Sequence, residues 1–437
     1  MKKFCFFIIV VLLIGGFIYF SPLFERIPPK IDYSGNQFWN LRSPIKIIIS
    51  DNTGIKWYRI SINNYIVEKY LSIPEKKVNI DFTLPEDFLK NDTKIKIIIE
   101  AKDISKWNLL KGNYSKKEIN FNIDKKKPII NIISRSYGIG RGGSALVIYK
   151  VVESNLKDTF ILINNAYNFK VFPFKKDNVY IALIAWPVKE EEFKAYIVAE
   201  DKANNLSKMK LSFFIKKYKY KVSNINLKDS FINGKVKEIL EEVGENIPED
   251  PILRFKQMNE FLRNKNETLI ENKGKNFKIE KINNFKIYAF KPLKNAAKMA
   301  SFGDHRFYFY QGKKISESWH LGLDLASIKN APIILSNDGK VVYADFTGIY
   351  GNVIIIYHGL GLSSLYAHCS QFFVKEGENL KRGRIIGKTG NTGAVFGDHL
   401  HFGILIQGTE VQPIEWLDKH WIKDNIDRVI KNALSYL

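Results

Sequence analysis

Asp398-His399-Leu400-His401-Phe402-Gly403-Ile404-Leu405-Ile406 carries a strand signature, a β-forming run whose successive side chains take opposite faces of a sheet. That alternation sends His399 and His401 to one face and Leu400 and Phe402 to the other. Two imidazoles on one face can share a metal centre. Histidine is the commonest protein ligand for zinc and the side chain best suited to proton transfer near neutral pH. All seven histidines fall between His305 and His420, so the chemistry is expected at the C-terminal end.

Working outward, Trp319-His320-Leu321-Gly322-Leu323-Asp324 places a histidine and a carboxylate four residues apart. A fully extended strand would separate them by roughly 13 Å, so joint ligation requires a bend, which Gly322 permits. One carboxylate and two imidazoles give zinc three protein ligands and leave a fourth tetrahedral position for water, the arrangement of a catalytic site. A structural zinc would have four protein ligands and several cysteines.

The fold expected around this segment is mainly β. From about Pro28 to Lys216, apolar runs such as Ile45 to Ile49, Lys94 to Glu100 and Leu146 to Val152 are separated by turns rich in Asn, Asp, Gly and Lys, the pattern of two β-sandwich modules over 28–125 and 126–216. An internal repeat supports two modules: Ile97-Ile98-Ile99-Glu100-Ala101-Lys102-Asp103 resembles Tyr196-Ile197-Val198-Ala199-Glu200-Asp201. The pattern resembles the closing hairpin of bacterial immunoglobulin-like modules. Residues 217–290 read as a helical connector, with Val236, Ile239, Leu240 and Val243 at helical spacing. Asp250-Pro251 opens its second helix as N-cap and first-turn proline, and a strand is expected around Phe285 to Phe290. The histidine-bearing domain takes 291–421 and a C-terminal helix 422–437. Gly138-Ile139-Gly140-Arg141-Gly142-Gly143 has dinucleotide-loop spacing, but the run after it is β-branched where phosphate binding needs a helix N-terminus. It is expected to be a flexible inter-strand loop.

Residues 1–24 open with Met1-Lys2-Lys3 and continue through an uncharged run from Phe4 to Phe20. This matches the ~20 apolar residues a bilayer-spanning helix needs. The basic flank is expected to stay inside and everything after it to face outward, as a single-pass anchor in the cytoplasmic membrane. The exit Tyr19-Phe20-Ser21-Pro22 lacks the small residues of a cleavage site. Cys5 lies inside the membrane run and Cys369 in the outward-facing part, so no disulfide is expected between them. The formal charge of +22 comes from scattered lysines rather than a block, and an outward-facing chain is expected to have no nucleic-acid partner.

Together, Phe302-Gly303-Asp304, His320-x-Gly322-x-Asp324, Gly351-Asn352 through His358-Gly359, Tyr366-Ala367-His368, Gly383-x-x-Ile386-Gly387, Thr392-Gly393 and His399-Leu400-His401-Phe402 resemble, in this order, the M23 family of zinc metallopeptidases, the lysostaphin-type or LytM-domain enzymes. The resemblance covers about Phe302 to Trp416. It implies an antiparallel-β peptidase domain binding one Zn2+ per chain through His320, Asp324 and His401, with His368 and His399 as catalytic histidines beside the attacking water and the scissile carbonyl. It implies as substrate the peptide cross-links of bacterial peptidoglycan, D-alanine to diamino acid ahead of a glycine bridge, with envelope proteins as possible regulators. The competing expectation is a non-catalytic wall-binding scaffold, or an activator of other wall hydrolases. Against it, all five site positions are filled. His305 and His358 are expected to be structural or groove-lining, His420 a surface residue, and Cys369 a buried small hydrophobe rather than a ligand.

Overall fold

The computed structural model describes residues 2–85, 88 and 92–437. Met1, the first residue of the expected anchor, and residues 86, 87 and 89–91 of the first expected β module lie outside the described residues. The chain divides into two compact units, Met1–Pro128 with Asn155–Lys157 and Glu200–Leu206, and Ile129–Ser154 with Asp158–Ala199 and Ser207–Leu437.

The first unit begins with the helix Lys2–Phe20, which ends where Ser21 caps the turn opened by Pro22. Its segment Lys3–Phe20 has mean hydropathy 2.5 and none of it is buried, so it is long and apolar enough to cross a membrane. The β module that follows is one hydrogen-bonded sheet of six strands, ordered Lys30–Tyr33, Ile45–Ile62, Lys94–Asp103, Tyr114–Ile123 and Phe38–Trp39, with Tyr65–Phe82 paired to Ile45–Ile62. Ile45–Ile62 breaks register between Ser50 and Ile55, so its first half pairs with Lys30–Tyr33 and its second with Lys94–Asp103. Period-two burial of Ile47, Ile49, Ile60, Ile97 and Ile99 then feeds one core shared with Trp39 and Phe121.

Residues 129–216 carry two four-stranded sheets, one built on Ser144–Val152 and Lys176–Ala185 and the other on Leu156–Ile163 and Ala195–Asp201. The expected flexible glycine loop is instead ordered. Gly138–Gly140 is a strand parallel to Phe214–Lys216, and Trp186 exchanges backbone hydrogen bonds with Gly142 and Gly143. Glycine is required there by space, since a Cβ on Gly142 would sit 2.7 Å from Phe302 and one on Gly143 2.8 Å from Glu415 Oε1.

That contact buries Glu415, whose carboxylate accepts from the Ser144 amide at 3.1 Å and from the Tyr218 hydroxyl at 3.0 Å. Burial, only partly offset by these donors, pushes its carboxyl up to about 7. Because the folded-state value is raised, the associated stability is full below the unfolded carboxyl range and is lost as pH rises through about 7. Melting temperature is therefore expected to fall between about pH 5 and 8 in the wild type, with the slope reduced in Glu415→Gln. Parallel slopes in thermal melts across that range would contradict the burial argument.

The connector departs from the sequence expectation at both ends. It starts with a strand, Val222–Asn226, parallel to His305–Tyr310. The expected strand around Phe285 to Phe290 pairs with no other strand among the described residues. Its backbone is held instead by Asn337, which bonds the amide and carbonyl of Tyr288, and by Ser336 at Lys291, while Phe285 and Ile287 bury alternate side chains and Phe290 buries out of that phase. Between them, Asp250 caps the helix at the Leu253 amide with Pro251 in the first turn. Val236, Ile239, Leu240, Phe255, Met258 and Leu262 pack into one core with Tyr308, Val353, Ile355 and Leu405. The helices thus share the interior of the histidine-bearing domain.

That domain is organised on an eight-stranded antiparallel sheet, ordered Ala297–Ala300, Leu323–Ala326, Leu400–Ile406, Leu362–Cys369, Asn352–Gly359, Gly339–Phe346 and Asn379–Leu380, with Thr409–Val411 paired to Leu400–Ile406. Leu400–Ile406 is buried along its whole length at the centre of this sheet.

Candidate metal centre and active site

Sheet register does most of the assembly. Asp324 lies directly opposite His401 across one strand pair, and Ala367, next to His368, lies opposite His401 across the other. Directly opposed residues bring their side chains within contact range on a shared face. His320 stands in the turn between Lys313–Trp319 and Leu323–Ala326, where its amide donates to Asp304 and its carbonyl accepts from Gly303. This is the bend that the spacing of His320 and Asp324 demanded, and it places His320 Nε2 3.0 Å from Asp324 Oδ1.

His320 Nε2, His401 Nδ1 and Asp324 Oδ1 lie 3.2, 2.9 and 3.0 Å from one another. Ligand atoms at about 2.0–2.1 Å on one tetrahedral zinc would be roughly 3.3 Å apart, close to what is seen. The hydrogen bonding agrees with a cation at the centre. His320 Nδ1 is 2.8 Å from the Ser301 carbonyl, a contact that assigns the ring proton to Nδ1 and turns a bare Nε2 lone pair toward the carboxylate. Lone pairs converging on a carboxylate repel unless a metal ion lies between them. The donor set therefore fits zinc. Burial opposes charge on Asp324, but the His320 and His401 rings beside it outweigh this and hold its carboxyl well below the usual carboxylate range. Burial pushes His401 down to about 4, leaving it neutral, as a ligand must be.

His368 and His399 stand beside this cluster, their ring centroids 4.9 Å apart, with His368 5.8 Å from His401. His368 has a left-handed backbone, φ 61°, unusual for a non-glycine residue, and its Nδ1 points at the Thr392 carbonyl at 2.9 Å. His399 Nδ1 likewise points at the Gly397 carbonyl at 2.9 Å, and its Nε2 is 3.7 Å from Asp324 Oδ1. These carbonyl contacts assign the Nδ1–H tautomer to the neutral form of both rings, which leaves Nε2 as the acceptor. Burial, then the charges of His401 and His399, pushes His368 down to about 3.

The five residues face a cleft of about 820 Å3. Its walls include residues the sequence reading did not assign to the site: Tyr350, whose ring is 5.6 Å from that of His401, Arg263, and Phe231, which packs on Phe396 at 4.9 Å. Nothing in their local sequence marks them, because three come from loops and helices brought to the site only by packing. The quoted Thr392-Gly393 motif turns out to support the site: Thr392 orients His368 through its carbonyl, and its hydroxyl links the Asn352 amide to the Cys369 carbonyl.

The remaining histidines lie outside the cluster. His305 stacks on Trp319, its ring 4.2 Å away and inclined by 13°. His358 is bonded by Nδ1 to the Asp338 carbonyl and by Nε2 to Ser364, and burial pushes it down to about 4. His420 sits in the short helix Lys419–Ile422 with its amide capped by Asp418. Cys369 is buried, which pushes its thiol up to about 12 and keeps it uncharged.

Gly322 has a role beyond the bend. A Cβ on it would meet His401 Nε2 at 2.3 Å, so the His401 ring packs directly on the glycine. Gly322→Ala is expected to displace that ring and weaken zinc affinity by roughly 10–100-fold, as disturbed ligand supports do. Competition against a zinc-chelating dye would measure it, and unchanged affinity would show that the ring has room to move.

Residues 318–413, which include all five site positions, match the family model described as Peptidase family M23. Among curated proteins, the DD-carboxypeptidase/endopeptidase Mpg of Neisseria meningitidis is 38% identical over 107 residues, 24% of this chain and 25% of that protein. The peptidoglycan DD-endopeptidase ShyA of Vibrio cholerae is 38% identical over 96 residues, 22% of each. The murein hydrolase activator NlpD of Escherichia coli is 40% identical over 103 residues, 23% of this chain and 27% of that protein. The chain thus spans about a quarter of the length of the curated relatives it matches. Among solved structures, the catalytic domain of lysostaphin from Staphylococcus simulans is 28% identical, covering 30% of this chain and 98% of that one, with a TM-score of 0.26.

Proposed function

The chain carries an M23 peptidase domain at its C-terminal end, and on that premise we propose that it is a zinc-dependent endopeptidase that hydrolyses stem-peptide cross-links of peptidoglycan, with the D-alanine to diamino acid bond as preferred target. The observation that carries this reading is the convergence of His320, Asp324, His401, His368 and His399 at one cleft from three separate stretches of chain. His320, Asp324 and His401 would hold one zinc, which when bound supplies Lewis-acid polarisation of the carbonyl and acidifies water. His368 and His399 each offer Nε2 to the cleft chemistry. One, unprotonated there, accepts the proton released as water's oxygen bonds to the carbonyl carbon; the other, in its imidazolium form, stabilises the oxyanion or passes its Nε2 proton to the amine as the C–N bond breaks, and the proton taken from water restores it. The helix Lys2–Phe20 would anchor the protein in the cytoplasmic membrane with the peptidase outside, where envelope proteins could regulate it.

The similarity to NlpD favours a second reading, a non-catalytic wall-binding activator. Metal analysis and mass spectrometry of cross-linked muropeptides treated with purified protein separate the two. About one zinc per chain and cleaved cross-links support the enzyme. Wall binding without cleavage by zinc-loaded protein supports the activator.

A further inference from the structure

The repeated sequence that ends at Asp103 and again at Asp201 has no part in the peptidase site. In the first unit Asp103 closes the strand Lys94–Asp103 and is fully buried. Its Oδ1 accepts from the amides of Ser105 and Asn113, and its Oδ2 from Asn113 Nδ2 at 2.7 Å. Asp51 lies where Ile45–Ile62 breaks register. Its Oδ1 accepts from the amides of Thr53 and Gly54 and from the Thr53 hydroxyl, whereas its Oδ2 is shut off from solvent and has no hydrogen-bond partner. Glu25 follows the N-terminal helix. Its carbonyl accepts from Ser105 Oγ at 2.6 Å and Asn113 Nδ2 at 2.9 Å, and its carboxylate from Asn113 Nδ2 at 3.3 Å.

One carboxylate oxygen from each of Glu25, Asp51 and Asp103 lies within 4.8 Å of the others. Among the described residues no lysine or arginine pairs with any of the three; the nearby Lys56 ammonium turns to the Lys111 carbonyl at 3.4 Å. Three carboxylates this close, one of them with an orphaned, buried oxygen, are costly unless a cation neutralises them. The donors are all oxygen, which selects a hard ion over zinc. Calcium, with six to eight oxygens at about 2.3–2.6 Å and tolerant geometry, suits an irregular set completed by water better than magnesium does.

The geometry points to a calcium site formed by Glu25, Asp51 and Asp103 that fastens the segment leaving the N-terminal helix to the first β module. The same segment is already tied to that module where the Leu23 carbonyl accepts from the Lys106 amide at 2.7 Å. The corner recurs at the repeat. Asn205 donates from its amide to Asp201 Oδ1, and from Nδ2 to Asp201 Oδ2 and to the Asp124 carbonyl, all at 2.8 Å, just as Asn113 serves Asp103 and Glu25. Each copy thus joins the strand-end aspartate to the residue that enters a module, which gives the sequence repeat a physical purpose.

The test uses the full chain in detergent micelles, stripped of divalent ions and reloaded with zinc, then titrated with calcium chloride in a calorimeter and followed by thermal melting. Saturable calcium uptake near the ~10⁻⁴–10⁻³ M typical of extracellular modules is expected, with a raised melting midpoint. Asp51→Asn keeps the Oδ1 acceptor of its turn and is expected to weaken one calcium at least about tenfold while zinc content and muropeptide cleavage stay at wild-type values. Glu25→Gln is the second variant if Asp51→Asn misfolds by circular dichroism. Absence of calcium uptake, uptake unaltered in the folded variant, or magnesium binding as tightly as calcium would overturn the site.

Discussion

Asp324→Asn is expected to leave the protein folded, unable to retain zinc, and slower in muropeptide cleavage by on the order of 10³-fold or more. The substitution keeps the side chain's shape, so the strand pair Leu323–Ala326 with Leu400–Ile406 should survive. What it removes is the one anionic ligand, the atom lying 3.0 Å from His320 Nε2 and 2.9 Å from His401 Nδ1. Two neutral imidazoles then remain, with only an amide to complete the set, and an amide oxygen is a far weaker zinc donor than a carboxylate. A second readout is independent of turnover. Zinc binds only the folded arrangement, so it should raise the wild-type melting temperature and leave the variant unmoved. A variant that cleaves at the wild-type rate would remove the three-ligand site altogether.

His368→Asn should separate metal binding from chemistry. Asparagine tolerates the left-handed backbone that His368 adopts, φ 61°, so the variant avoids the strain that alanine would meet. No zinc ligand is touched, and zinc content is expected to stay at the wild-type level. The lost Nε2 acceptor should lower kcat by about 10²–10⁴-fold with little change in KM, the usual size of a proton-transfer contribution. His399→Ala is expected to act alike. If the two rings work as a unit, the double variant should be little worse than the poorer single one. Single-turnover kinetics beside metal analysis decides this, and a loss of zinc in His368→Asn would reassign the residue as a ligand.

Much of the site is legible in the sequence because sheet periodicity is local. The spacing of His399 and His401, and the need for a bend between His320 and Asp324, follow from strand geometry alone. The misreadings have equally local causes. Phe285 to Phe290 alternates like a strand, yet Asn337 and Ser336 side chains take the place of a neighbouring strand's backbone. The glycines at 138–143 suggest mobility, but their missing side chains are what let Phe302 and Glu415 approach. The helices before the peptidase segment read as a connector, and their apolar faces complete its core.

By itself the sequence determined which residue types were available and the face on which each strand would display them: the imidazole pair, the bent histidine–aspartate phrase, the apolar N-terminal helix and the repeated strand ending in aspartate. These follow from a backbone period of two and from the length of a bilayer-spanning helix. Only the tertiary structure decided that Asp324, His401 and Ala367 fall in one register line, that Thr392 and Ser301 set the tautomers of His368 and His320, and that Glu25, Asp51 and Asp103 meet. The physical reason is that such contacts join residues tens of positions apart in the chain. They are selected by the packing and hydrogen bonding of the whole domain, which no short window of sequence contains.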